Sequence, residues 1–276
     1  SMSVTSPHLP QNDLESRFAL MEQLRLAART ITLPLFEKGM VIDNKANTGF
    51  DPVTNADTDA EKNLRKLITT AFPDDHIEGE EFDPIIGQND WLWTLDPIDG
   101  TRGFVAGVPV WSTLIAVSFK GKPILGLMDF PAMDQSFWGR PGEAYRLDAQ
   151  GKMTLSSRPC PALSQAVLGC TEPLSMFGPG ELAAYNIIRS GTQFSRLGLD
   201  AFGYALLASG RMDIIIEAML KPCDVRALLP IIEGAGGALT NWHGNPAING
   251  GRVVAVGDAG LLPELYTYLG RAMTPS

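Results

Sequence analysis

Trp91-Leu92-Trp93-Thr94-Leu95-Asp96-Pro97-Ile98-Asp99-Gly100-Thr101 reads as an apolar strand that runs into two acids and a turn. Pro97 fixes the backbone after Asp96, and Asp99 follows three residues on, so the two carboxylates can converge at the strand's end. Two acids held that close repel each other unless a cation lies between them. Gly100 and Thr101 lead into the next element, where backbone N–H groups can receive a phosphate oxygen. Metal carboxylates beside an anion cradle make a site for phosphoryl transfer or hydrolysis. Taken alone the same string is an ordinary turn, so its surroundings must carry the reading.

Upstream, Gly79-Glu80-Glu81 follows a short predicted strand over 75–78, and downstream Asp224 follows Lys221-Pro222-Cys223 at the start of an apolar helix, where it can also be a plain N-cap. Apolar runs at Val110 to Phe119, Ile124 to Phe130 and Gln135 to Trp138, broken by turns such as Gly121-Lys122-Pro123, predict a mostly antiparallel sheet. Ahead of it, Leu14, Phe18, Met21, Leu24, Ala28 and Ile31 recur at helical spacing, with Asn12 or Asp13 as cap and Gly39 as stop. Residues 39–56 are polar and read as a candidate mobile loop, after which Thr58-Asp59-Ala60-Glu61 reads as a capping box opening a helix to about Thr70.

Beyond Met153, helices near 180–189, 200–209, 224–235 and 260–271 alternate with strands near 213–217 and 252–256. The chain is therefore expected to be α/β, with an α+β half at 12–155 and an α/β half at 156–273, divided near Arg158 to Pro161. Glu233-Gly234-Ala235-Gly236-Gly237 reads as a helix end packed on the next strand, and Trp111, Trp138 and Met133 as core.

The 276 residues carry 22 Lys+Arg against 31 Asp+Glu, a net charge of −9, which is the wrong sign for a nucleic-acid polymer as partner. Three cysteines in no CxxC spacing make a reducing cytoplasm the expected location. No run of 18 apolar residues and no basic-then-apolar leader pattern occurs, so no membrane partner is expected. Serine-hydrolase chemistry is disfavoured, because no GxSxG occurs and His8, His76 and His243 lie outside the acidic constellation.

Val53-Thr54-Asn55-Ala56-Asp57, Gly79-Glu80-Glu81, Asp96-Pro97-Ile98-Asp99-Gly100-Thr101 and Asp224 followed by Glu233-Gly234-Ala235-Gly236-Gly237 together resemble the inositol monophosphatase family, over about residues 12–270. The resemblance implies a layered αβαβα sandwich, a homodimer and a Mg²⁺-dependent phosphate monoester hydrolase. It implies one Mg²⁺ held by Glu80, Asp96 and the Ile98 carbonyl, a second held by Asp96, Asp99 and Asp224, and a weaker third near Glu80. Hard oxygen ligands suit Mg²⁺, and the absence of histidine from the set argues against Zn²⁺. Thr101 and Asp57 match the pair that positions and activates the attacking water, with Glu80 also touching it, and attack would be in line with no covalent intermediate. Asp57 also reads as a helix cap. Lys45, in the polar loop, matches a family lysine near the site and equally reads as solvated.

Arg102 stands where inositol phosphatases usually have an uncharged residue, and Thr101-Arg102-Gly103-Phe104 resembles the histidinol-phosphate phosphatase branch, as do Gly198-Leu199-Asp200-Ala201 and Glu217. The substrate, a small phosphorylated alcohol, is expected to meet Gly100, Thr101, Arg102, Gly198, Asp200 and Glu217. Carboxylates away from the metals suit its ammonium and imidazole groups. Asp200 also reads as a helix N-cap and Glu217 as a partner of Arg102 or Lys221. Two departures touch the alcohol pocket: Cys223 replaces an aromatic residue, and Leu199 a glycine. The expectation is a histidinol-phosphate phosphatase of histidine biosynthesis. The alternatives are an inositol-1-phosphate or broad sugar-phosphate phosphatase and a non-catalytic binding module, against which the intact acids at 80, 96, 99 and 224 argue.

Overall fold

The computed structural model describes residues 8–39 and 55–272. Helices α1 (Gln11–Lys38) and α2 (Asn55–Ala71) precede seven strands that lie side by side in chain order: β1 (His76–Gly79), β2 (Trp91–Asp99), β3 (Ser112–Phe119), β4 (Lys122–Phe130), β5 (Gln135–Arg140), β6 (Glu143–Asp148) and β7 (Gly151–Thr154). A short helix, α3 (Thr101–Ala106), follows β2. Only the β1–β2 pairing in this sheet is parallel; short hairpin connections make β3 to β7 antiparallel, and β2 meets β3 antiparallel across the turn that holds α3. The chain continues through β8 (Val167–Gly169), α4 (Pro173–Met176), α5 (Pro179–Gly191), β9 (Phe194–Arg196), α6 (Phe202–Ala208), β10 (Ile214–Leu220), α7 (Pro222–Val225), α8 (Leu228–Gly234), β11 (Ala238–Thr240), β12 (Gly251–Val256) and α9 (Leu262–Arg271). Its five strands form a mixed sheet in the order β11-β12-β10-β8-β9.

Period-two alternation sorts the strand residues into three cores. Ile115 and Val117 of β3 meet Met21, Leu24 and Leu64 of α1 and α2, whereas Leu114 and Ala116 face α6 and α8. Ile215 of β10 faces that same central helical layer, and Ile214 and Ile216 turn outward to Tyr185, Leu265 and Leu269 of α5 and α9. The layers are therefore α1/α2, first sheet, α6/α8, second sheet, α5/α9, the αβαβα order that the resemblance implied. Among the described residues no helix is long and apolar enough to cross a membrane.

Three local expectations are corrected. Helix α1 starts after Pro10 with no side-chain cap, so neither Asn12 nor Asp13 caps it, while Gly39 ends it with φ +82° as predicted. Helix α2 starts at Asn55, which places Thr58 to Glu61 inside the helix; Glu61 is not a capping-box acid and serves the site instead. The single helix expected over 224–235 is two pieces, α7 and α8.

The seat of α8 decides where Asp224 lies. Gly126 of β4 and Gly139 of β5 are register partners, and a Cβ on Gly126 would stand 2.2 Å from the Ala227 carbonyl oxygen. One on Gly139 would stand 2.4 Å from the Ile231 nitrogen, so the helix backbone rests directly on the sheet at these two positions. Gly126→Ala should cost about 1–3 kcal/mol by forcing α8 outward. Gly270→Ala in α9, where an added Cβ meets nothing within 4 Å, should be neutral or stabilising by up to about 1 kcal/mol. Urea denaturation of both variants checks the contrast.

Candidate metal centre and active site

In a regular strand, residues three apart point to opposite faces. Asp96 and Asp99 escape this because β2 slips against β3 between them: Asp96 pairs with Leu114, and Asp99 with Ser112. Three steps on one strand match two on the other, so a bulge around Pro97 returns both carboxylates to one side. The Thr113 hydroxyl donates to the Pro97 carbonyl at 2.8 Å and pins the bulge. The Ile98 side chain, 1% exposed, is anchored with Ala56, Phe104 and Trp111. Gly100, at φ +79°, then turns the chain left-handed into α3 at Thr101.

Glu80 and Glu81 sit just past β1, on a loop that α2 holds in place. The Glu80 and Glu81 backbone N–H groups donate to Glu61 Oε1 at 2.8 and 3.0 Å. Glu61 in turn pairs with Arg65, whose guanidinium donates to the carbonyls of Asp83 and Phe82. A Cβ on Gly79 would lie 2.4 Å from Glu61 Oε1, so only glycine lets this anchor approach. Asp57 is buried in the first turn of α2 and points into the same cluster: oxygens of Asp57, Glu80 and Glu81 lie within 4.8 Å of one another. Glu61 and Glu81 were not among the sequence candidates. The signal for Glu61 was an Arg four residues on, on the face that carries Ala60, Leu64 and Ile68.

Asp224 enters from the second sheet. It is not the N-cap of α7, which is Lys221, but the third helical residue; its Oδ2 accepts the Lys221 N–H at 2.8 Å, and it joins Asp96 and Asp99 in a triple within 4.8 Å. The third such triple is Glu80, Asp96 and Cys223. Glu80 and Asp96 each belong to two triples, which makes the three loci a continuous row. Lys221 Nζ donates to Glu80 Oε1 at 3.2 Å.

This crowding shows in the acids' proton affinities. Burial, then the charges of Glu80 and Glu81, push the Asp57 carboxyl up to about 8. Burial also holds Asp96 and Asp99 well above the usual carboxylate range, with Cys223 and Glu80 adding at Asp96 and Asp224 at Asp99. Asp96 Oδ1 is buried with no hydrogen-bond partner, a costly state that a cation relieves. Oxygen donors of this number and spacing fit hard divalent cations.

Of the substrate candidates, Gly100 lies against Asp200: a Cβ there would stand 3.0 Å from the Asp200 carboxyl carbon. Asp200 adopts φ +51° and precedes the residue that caps α6, so it is not the helix N-cap. Burial, then the charge of Asp224, raise its carboxyl to about 6. Gly198, at φ +75°, makes the preceding turn and donates its N–H to the Thr171 carbonyl. Glu217 pairs with neither Arg102 nor Lys221. It is 3% exposed, accepts from the Thr171 N–H and the Tyr204 hydroxyl, and lies close enough to Asp99 for its charge to raise that carboxyl. Arg102 is largely exposed and pairs with Glu172 at 3.6 Å. Lys45 lies outside the described residues.

Fold and acids together define a metal-dependent phosphate monoester hydrolase. The chain belongs to the inositol monophosphatase family, whose model matches residues 13–272. It is 40% identical to "Bifunctional phosphatase IMPL2, chloroplastic" of Arabidopsis thaliana, over 88% of this chain and 70% of that protein. It is 33% identical to the histidinol-phosphatase of Chlorobaculum parvum, over 71% of this chain and 75% of that protein. A solved inositol monophosphatase from Zymomonas mobilis superposes with a TM-score of 0.82 at 34% identity, covering 95% of this chain and 100% of that one. Kinship sets the reaction class, and the leaving alcohol has to be read from the site.

Because these carboxyls hold protons more tightly folded than unfolded, the metal-free fold is favoured at low pH and loses that stabilisation as pH rises from 3.8 toward about 8. Divalent cations compete with those protons and bind the folded state alone. The rise in Tm on adding excess Mg²⁺ should therefore grow between pH 5 and pH 8 in thermal melts; an equal or larger rise at pH 5 would contradict this.

Proposed function

We propose that the protein is a Mg²⁺-dependent phosphatase whose substrate is histidinol phosphate. Asp200 carries this reading. It is an acid outside the metal triples, bent by a left-handed backbone onto Gly100 at the entrance of α3. A carboxylate there, with Glu217 nearby, favours an alcohol that bears an ammonium group over a neutral polyol. Relatives named histidinol-phosphatase support the choice.

Glu80, Asp96, Asp99, Asp224 and the Ile98 carbonyl would hold the Mg²⁺ ions, which when bound neutralise phosphate charge and make water easier to ionise. The backbone N–H groups of Gly100, Thr101 and Arg102 receive phosphate oxygens at the opening of α3. The Thr101 hydroxyl orients the attacking water, and a carboxylate oxygen of Asp57 takes its proton, aided by Glu80. In the metal-free protein, burial beside Glu80 and Glu81 raises the proton affinity of that oxygen. Arg102 stands at the mouth, Gly198 sets the turn that aims Asp200, and Lys45 is assigned a loop contact with substrate. Water attacks phosphorus in line, the ester P–O bond breaks opposite to it, and the departing alkoxide takes a proton from solvent to leave as the alcohol, while Asp57 returns its proton to solvent.

An inositol-1-phosphate or broad sugar-phosphate phosphatase is the second reading, favoured by a relative named inositol-1-monophosphatase. Phosphate release from a panel of esters with Mg²⁺ separates the two. Histidinol phosphate should exceed inositol 1-phosphate in kcat/KM by at least about tenfold, and Asp200→Asn, which tolerates the left-handed backbone, should lower it by about 10- to 100-fold. Equal or better turnover of inositol 1-phosphate would overturn the assignment. Asp96→Asn should lower turnover of every ester by at least about a hundredfold.

A further inference from the structure

The proposed reaction uses no thiol, yet Cys223 stands among its acids. Its Sγ and one oxygen each of Glu80 and Asp96 all lie within 4.8 Å of one another. Asp96 is 1% exposed, and its Oδ1 has no hydrogen-bond partner. Donors around a tetrahedral Zn²⁺, with sulfur at about 2.3 Å and oxygen at about 2.1 Å, sit roughly 3.6 Å apart. Since no two of the donors are more than 4.8 Å apart, reaching that value takes side-chain shifts of at most about an ångström. Cys160 and Cys170 belong to the outer core with Leu168, Tyr185 and Trp242, apart from these acids.

We propose that Glu80, Asp96 and Cys223 form a mixed sulfur and oxygen site for a thiophilic divalent cation such as Zn²⁺ or Co²⁺. A thiolate prefers such ions to Mg²⁺, whereas the carboxylates serve either. On binding, the Cys223 S–H bond is lost, its proton leaves to solvent and the sulfur lone pair forms the bond to the ion; no electrons are transferred. Glu80 and Asp96 are shared with the Mg²⁺ set, so the soft cation displaces Mg²⁺ and arrests the enzyme. The proposal rests on the metal assignment above and is independent of the substrate.

Titrating metal-free protein with Co²⁺ tests it by absorption. A sulfur-to-cobalt charge-transfer band should grow in the near ultraviolet, persist in Cys160→Ser and Cys170→Ser, and vanish in Cys223→Ser. Cys223→Ser should still gain Tm from Mg²⁺, showing a folded carboxylate site, and should bind Zn²⁺ at least about tenfold more weakly. Co²⁺ binding without the band, or a band that survives Cys223→Ser, would overturn the proposal. If wild type gains Tm from Mg²⁺ but shows no band, only the sulfur ligand fails; if it gains none, the metal assignment fails as well. Should Cys223→Ser not fold, alkylation of wild type decides: at matched occupancy Zn²⁺ should shield Cys223 more than Mg²⁺, and equal labelling would contradict the proposal.

Discussion

The mutual repulsion of carboxylates gathered at the end of β2 is the constraint around which this molecule is arranged. Asp96 is held by the strand, Asp99 by the bulge after it, Asp57 by the first turn of α2, and Asp224 by the first turn of α7. Each acid belongs to a different local structure, so the fold's long-range packing brings them together against their own electrostatics. That packing is specific: α8 rests on Gly126 and Gly139, and Arg226, just past Asp224, donates to Thr94 on β2 and to the Ile248 carbonyl. The site thus draws on both sheets, and the stability gained in three cores offsets the strain stored at their junction.

Charge balance at this junction is provided locally by Lys221, whose ammonium meets Glu80. Among the described residues, one ammonium against this many acids leaves a strong demand for positive charge. The same demand explains why the net charge of −9 is compatible with a phosphorylated substrate. Cations arriving first convert an anionic cleft into one that attracts phosphate. Asp200, outside the metal triples, leaves an acid beside Gly100 that such cations would not neutralise directly.

The clustered acids were legible in the sequence because each sits at a punctuated position: Pro97 and Gly100 around Asp96 and Asp99, Gly79 before Glu80, Pro222 before Asp224. The layer order was legible through family resemblance, since period-two alternation names faces but not what covers them. Short strands such as β8, β9 and β11, three residues each, were missed because they hold too few residues to show a period. Glu61 was misread for a physical reason: a buried acid one helical turn from its Arg looks, in sequence, like a first-turn acid near a Thr. Its true partners lie about twenty residues away in the Glu80 loop, and such a contact exists only once the fold has formed. Glu217 was expected to pair with Arg102 or Lys221 for a similar reason, since its actual partners Thr171 and Tyr204 are distant in sequence.

The central claim is that these acids form one polynuclear cation centre rather than a set of separate surface sites. Titration with Mn²⁺ followed by electron paramagnetic resonance tests it most directly. The account predicts two or more ions per chain, bound close enough to couple magnetically at roughly 3.5–4 Å. A single weakly held ion, or several that remain magnetically isolated from one another, would contradict it.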